Sequence, residues 1–156
     1  MAAEGAENLS PFGGMILSVS LLGNNFQHLH SSVPDENPHD LDGKFWKRHQ
    51  KMASTLSDIL RILPDKLTLP EASQDMKVIL LHMNMHASDV CLQETAIQTA
   101  KKYHLEAMIT RQARARSLVA AEEIVSIMRL TCHVDPSEVH LRLTYFLCMS
   151  DLIKIR

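Results

Sequence analysis

Close cysteine pairs are absent from this 156-residue chain. Its three cysteines, Cys91, Cys132 and Cys148, are odd in number and widely spaced. Such spacing provides neither the disulfide framework of a small secreted domain nor the paired thiolates of a structural zinc site. A reducing compartment fits this cysteine usage best.

The signatures of several functional classes are also missing. Gly13-Gly14 is not followed by the lysine of a phosphate-binding loop, and no G-x-S-x-G elbow occurs. No pair of carboxylates lies in an apolar setting, so general acid–base chemistry has no candidate. The formal net charge of −2 lacks the basic excess of a self-sufficient nucleic-acid binder. We therefore expect no catalytic residues and a protein that is not an enzyme.

Charge is absent from Asn8 to Pro34. The apolar part of this stretch, residues 15–22, is too short to span a bilayer. Glu4 and Glu7 stand where a secretory signal would have a basic start. We expect a buried helix here and no membrane partner.

Helical spacing of apolar residues runs through the chain, and no strand pattern competes with it. It predicts an all-α fold, an irregular helical bundle or array of about five helices. The first begins at Ser10-Pro11, an N-cap followed by proline at the first helical position. The others are predicted over residues 44–63, 75–103 and 110–131, and from the capping box at 135–138 toward the C-terminus.

The apolar positions also predict which side of each helix is buried. The 75–103 helix is apolar nearly all round and is therefore expected to be the central one. The first helix is expected to bury Phe12, Met15, Ile16, Val19, Leu22, Phe26 and Leu29. The fourth is expected to bury Ala113, Leu118, Ala121, Ile124, Val125, Met128 and Leu130.

One histidine pair is worth testing as a metal site. His82 and His86 are four residues apart, which places both imidazoles on one helix face. Met83 replaces the glutamate of a zinc hydrolase helix, and a third ligand would have to come from Cys91, Cys132 or His133. We expect both histidines to be structural, and no metal site.

His28 and His30 are expected to lie at a fraying helix end. Two basic clusters remain: Lys44, Lys47, Arg48 and Lys51 in the second helix, and Arg111, Arg114 and Arg116 in the fourth. Either could contact phosphates, but solvated helix faces are the simpler interpretation.

Several sequence blocks carry a family resemblance. They are residues 10–15 (SPFGGM), 25–30 (NFQHLH), 41–49 (LDGKFWKRH), 63–70 (LPDKLTLP), 81–87 (LHMNMHA) and 120–125 (AAEEIV) with Met128. In order and spacing they resemble the middle homology region of fungal zinc-binuclear-cluster transcription factors, of the xylanolytic-activator type.

The resemblance implies a domain organisation. Residues 1–8 would be a disordered N-terminus, 9–135 the helical regulatory domain, and 136–156 a C-terminal helix that is divergent or truncated. The zinc cluster that binds DNA in the family is missing from this chain, so zinc is expected only there and no cofactor here.

The resemblance also implies a function. It is a nuclear role in regulating transcription, with protein partners or self-association, a possible small-molecule effector, and DNA contacted only through the missing domain. The alternative is a free-standing helical protein that binds a partner or a small ligand.

Overall fold

The computed structural model describes residues 8–30, 37 and 39–131, and of residues 29 and 30 the backbone alone. This part of the chain forms four α-helices: α1 (Pro11–His30), α2 (Lys44–Ile62), α3 (Met76–Lys102) and α4 (Ala107–Leu130). A short 3-10 turn (Asp65–Leu67) lies between α2 and α3. No strand occurs among these residues, so the all-α class is confirmed. The predicted fifth helix and the predicted disordered residues 1–7 lie outside the described residues.

Local sequence signals set the helix ends. Ser10 Oγ accepts a hydrogen bond of 3.0 Å from the backbone N–H of Gly13, as expected of an N-cap before Pro11. Asp75 caps α3 in the same manner, accepting from the backbone N–H of Lys77 at 2.8 Å. α2 ends at Ile62, and Leu63 is extended because Pro64 follows it.

α3 is the central helix, as its sequence predicted, and it is buried on most sides. α1 runs parallel to it, with Gly14 beside Leu81 and Asn25 beside Ser88. α2 and α4 pack on α3 in the opposite direction. At one end, Trp46 of α2 and Ala113 of α4 pack against Ala96 and Ile97 of α3. At the other end, Leu63, just after α2, packs against Val78 of α3, and Ile127 of α4 packs against Ile79 of α3.

The face that α1 buries differs from the predicted one. The buried positions are Gly14, Ser18, Leu22, Asn25 and His28, whereas Phe12, Ile16 and Val19 are 58%, 49% and 49% exposed. Polar pairing explains the difference: Asn84 Nδ2 donates to Ser18 Oγ at 3.1 Å, and Asn25 Nδ2 donates to the Ser88 carbonyl at 2.9 Å. These hydrogen bonds satisfy buried polar groups and select a face that apolar spacing does not identify.

Glycine permits the close approach of α1 to α3. A Cβ atom at residue 14 would overlap the δ-methyl group of Leu81. The small Gly14 therefore lets the helix backbone lie directly against α3.

The buried face of α4 also differs from the prediction. Ala113, Ala120 and Ile127 are its buried residues, seven positions apart, with Ile124 and Met128 half-buried beside them. Leu118, Val125 and Leu130, expected to be buried, are instead exposed. The seven-residue spacing lies close to two helical turns, which keeps one narrow line of small and apolar residues on α3. No helix of the described residues is long and apolar enough to cross a membrane.

Candidate functional site

A cleft lies where α2 and α4 meet over α3, with a volume of about 270 Å³. We call it the α2–α4 cleft. Trp46, His49 and Gln50 line it from α2. The facing wall consists of residues from the first half of α4, namely Ile109, Gln112, Ala113 and Arg116. The second basic cluster therefore contributes one member, Arg116, to a concave site.

The floor of the cleft comes from α3. Gln93 and Ala96 lie there, and both are buried. The amide nitrogen of Gln93 donates to Asp89 Oδ1 at 2.7 Å, which holds the side chain in place. Leu41, just before α2, adds an apolar rim that is half exposed.

An aromatic and imidazole cluster supports the α2 wall. The rings of His28 and Phe45 stack with centroids 4.9 Å apart, and Trp46 meets Phe45 edge to face at 5.0 Å. The His49 ring lies 5.7 Å from both Trp46 and His28. Close ring packing of this kind fixes the position of Trp46 and His49 at the cleft.

His49 is neutral in this setting. Burial lowers its pKa to about 4, and repulsion from His28 and from the Arg116 guanidinium acts in the same direction. Its Nδ1 is buried and has no hydrogen-bond partner within the described part of the chain. The imidazole is therefore a weak base at neutral pH and serves the cleft as an uncharged polar ring.

The charge of the cleft is positive. Among the residues that the structure describes, Arg116 is the one charged residue lining it, and no aspartate or glutamate does so. Three glutamines, Gln50, Gln93 and Gln112, supply neutral polar groups. Apolar walls around a single guanidinium suit a small organic anion better than a cation or an extended polyanion.

The other basic residues do not extend this site into a nucleic-acid surface. Lys44, Lys47 and Lys51 are exposed on α2, as are Arg111 and Arg114 on α4, and none of them lines the cleft. Arg48 instead turns inward, where its Nε donates a hydrogen bond of 3.0 Å to His28 Nδ1. This agrees with the interpretation of solvated helix faces.

His28 departs from its expected place. It is buried between α1 and α2 rather than lying at a fraying end. The side chain of His30 lies outside the described residues.

His82 and His86 lie on the same side of α3 as the cleft residue Gln93, two to three helical turns nearer the start of the helix. His82 Nε2 donates to the Leu67 carbonyl at 2.8 Å, which ties the 3-10 turn to α3. Burial lowers the pKa of His82, against the raising effect of that carbonyl. Burial also lowers the pKa of His86, while Glu123 of α4 raises it. The Leu67 hydrogen bond supports a structural role for His82, and that role stays a prediction.

No group of three or more histidine, cysteine, aspartate or glutamate residues is placed to hold a metal ion among the described residues. Cys91 is buried, and burial raises its pKa to about 11, so its thiol keeps its proton. Cys132, His133 and Cys148 lie outside the described residues.

Sequence reasoning did not single out His49, Gln93 or Gln112. His49 is three residues after Trp46, a helical spacing that places the two rings on one side of α2, and this was the available signal. Arg116, however, lies 67 positions further along the chain, and only the packing of α2 and α4 on α3 brings the two walls together.

Comparison of the chain with protein-family models, with curated proteins and with solved structures gives no match. Functional inference therefore rests on the residues and geometry of the chain itself.

Proposed function

We propose that this chain is a non-catalytic regulatory domain whose α2–α4 cleft binds a small organic carboxylate as an effector. The observation that carries the proposal is the guanidinium of Arg116 in a cleft that is lined, among the described residues, by apolar and neutral polar side chains and by no acidic one. Guanidinium and carboxylate groups form paired, charge-assisted hydrogen bonds.

The remaining lining residues divide between the two parts of such a ligand. Trp46, Leu41 and Ile109 offer apolar surface for its carbon skeleton. Gln50 and Gln112 offer amide groups for a second polar substituent. The volume of about 270 Å³ lies at the small end of ligand sites, which favours a compact metabolite.

Ligand binding in the α2–α4 cleft would affect how α2 and α4 are placed relative to each other. α2 and α4 each pack on α3, and they approach one another through Trp46 and Ala113. A ligand that contacts Gln50 on α2 and Arg116 on α4 would stabilise this arrangement over alternatives in which the walls separate. That is the physical basis on which an effector could regulate the domain.

The family resemblance extends the proposal to a nuclear role in transcription. One of the resembling blocks, residues 41–49, supplies Leu41, Trp46 and His49 to the cleft. DNA binding would belong to a zinc cluster that this chain lacks, and this chain alone would bind duplex DNA weakly. The alternative is a free-standing ligand-binding protein. An in-frame group of six cysteines encoded upstream of Met1 would favour the first, and its absence the second.

Trp46 is the only tryptophan and lines the cleft, so its fluorescence reports binding. We expect titration of the full chain with 4-hydroxybenzoate or succinate to change that fluorescence with a Kd of about 1 mM or tighter. Inorganic phosphate, which offers no carbon skeleton, should bind more weakly.

The matched variants are Arg116→Gln and Arg114→Gln. Both remove one arginine from α4, but only Arg116 lines the cleft. Arg116→Gln should weaken carboxylate binding about tenfold or more, while Arg114→Gln should leave it unchanged. Equal effects of the two variants would show non-specific charge attraction and contradict the proposed site.

A further inference from the structure

The exposed apolar residues of α1 form a line. Phe12, Val19 and Phe26 are spaced by seven residues, so they lie along one side of the helix. Phe26 packs beside Leu22 and Cys91 at the edge of α3, whereas Phe12 and Val19 are largely open. No aspartate, glutamate, lysine or arginine occurs between residues 9 and 30. A solvent-facing side without charge is unusual for a surface helix.

α4 presents a second such line. Leu118 and Val125, also seven residues apart, are 61% and 44% exposed. Ile109, Gln112 and Arg116 face the α2–α4 cleft. Helical periodicity places Leu118 and Val125 on the other side of α4, away from α2.

α3 lies between these two lines. It contacts α1 through Leu81, Asn84, Ser88 and Cys91. It contacts α2 through Val78, Met85 and Leu92. It contacts α4 through Ile79, Met83 and Ile97. Leu80, Ala87 and Glu94, each seven residues from the next, fall on the remaining side of the helix, whereas Val90 is in register with Met83 and Ile97 beside α4. Leu80 and Val90 are only half-buried, unlike most of α3.

α1 and α4 therefore flank a groove whose floor is apolar at Leu80 and Ala87 and polar further along at Glu94. Both helices pack extensively on α3, while packing of comparable extent between α1 and α4 is absent among the described residues. We call this the α1–α4 groove. It lies on the side of α3 opposite α2 and is separate from the α2–α4 cleft.

The position of Thr131, where the described chain ends, indicates which segment occupies the groove. Ile127, in the last turn of α4, packs against Ile79 and Met83 near the start of α3. Gly14, near the start of α1, lies beside Leu81 in the same region. Thr131, the last described residue, therefore lies at the end of the groove where α1 and α3 begin.

The 25 residues after Thr131 have the length and pattern to fill it. The 21 residues 136–156 would extend about 31 Å as a helix, compared with about 30 Å for the 20 residues of α1. Their sequence has apolar residues at helical spacing, Val139, Leu143, Phe146 and Ile153. We propose that residues 136–156 of this same chain dock in the α1–α4 groove, antiparallel to α4, with these apolar residues on Leu80, Ala87 and the open side of α1.

A photo-crosslinker in the full chain tests this docking. Val19 is replaced by p-benzoylphenylalanine in one variant, and Ser54, exposed on α2, in a control variant. After irradiation of dilute protein, mass spectrometry should find cross-links within one chain from position 19 to residues 136–156, and none to that segment from position 54. Cross-links from position 19 only between two chains would identify a second copy as the occupant and overturn the proposal. Absence of cross-links to residues 136–156 would overturn it as well.

Hydrogen exchange gives an independent readout. Phe146→Glu should accelerate amide exchange in α1 about tenfold, because the covering apolar contact is lost. Thr144→Glu, which adds the same charge on the opposite side of the helical pattern, should leave exchange in α1 unchanged. Equal exchange in wild type and Phe146→Glu would contradict docking on α1, whatever the α2–α4 cleft binds.

Discussion

Arg48 Nε donates a hydrogen bond of 3.0 Å to Nδ1 of His28, joining the end of α1 to the start of α2. This bond holds the His28 ring where it stacks on Phe45, with centroids 4.9 Å apart. The contact supports the α2 wall of the cleft from behind, since the His49 ring lies 5.7 Å from His28.

Replacement of His28 separates ring packing from hydrogen bonding. We expect His28→Ala to lower the free energy of unfolding by about 2–3 kcal/mol, since it removes both the stacked ring and the acceptor. His28→Phe keeps a ring and should cost about 1 kcal/mol. Urea unfolding followed by circular dichroism measures both. A change below about 0.5 kcal/mol for His28→Ala would mean that this helix end frays after all.

His49 predicts a pH dependence of stability. Its pKa falls from the ordinary histidine value of 6.5 to about 4 in the folded protein, so the unfolded chain binds a proton more readily between these pH values. Its contribution is therefore complete above about pH 6.5 and is lost as pH falls toward 4, by up to about 3 kcal/mol. Burial lowers the pKa of His82 and His86 too, so they add loss in the same direction.

NMR titration of the His49 ring isolates its share. The Cε1 proton of His49 should show no transition between pH 7 and pH 5. A His49 midpoint near 6.5 would show that the ring is solvated and the α2 wall is open.

Two glycines of α1 form a matched pair. Gly23→Ala should stabilise the protein by about 0.5–1 kcal/mol, since nothing lies within 4 Å of the added methyl group and alanine favours a helix. Gly14→Ala should instead destabilise it by about 1 kcal/mol, because the methyl group meets buried Leu81. Thermal melting compares them, and equal stabilisation by both would contradict the close approach of α1 to α3.

The sequence identified the helices better than the faces they bury. Ser10, Pro64 and Asp75 act locally, so their effect on helix ends could be predicted from neighbouring residues. The face of α1 could not, because it depends on Asn84 and Ser88, more than 60 positions away. For the same reason the cleft appears only when α2 and α4 have packed on α3.

His82 provides a test of the structural interpretation of the histidine pair. His82→Ala should lower stability by about 1–2 kcal/mol, because the Leu67 carbonyl loses its donor. The purified protein should contain no stoichiometric zinc before or after the change. Metal analysis that finds one zinc per chain, lost in His82→Ala and in His86→Ala, would establish a metal site instead.

A backbone amide NMR titration of the full chain with 4-hydroxybenzoate tests the proposed effector site most directly. Saturable shift changes should concentrate at residues that line the cleft, including Trp46, Gln93 and Gln112, and Arg116→Gln should abolish them. Saturable changes centred elsewhere, or none with 4-hydroxybenzoate and with succinate, would contradict binding of a small organic carboxylate in the α2–α4 cleft.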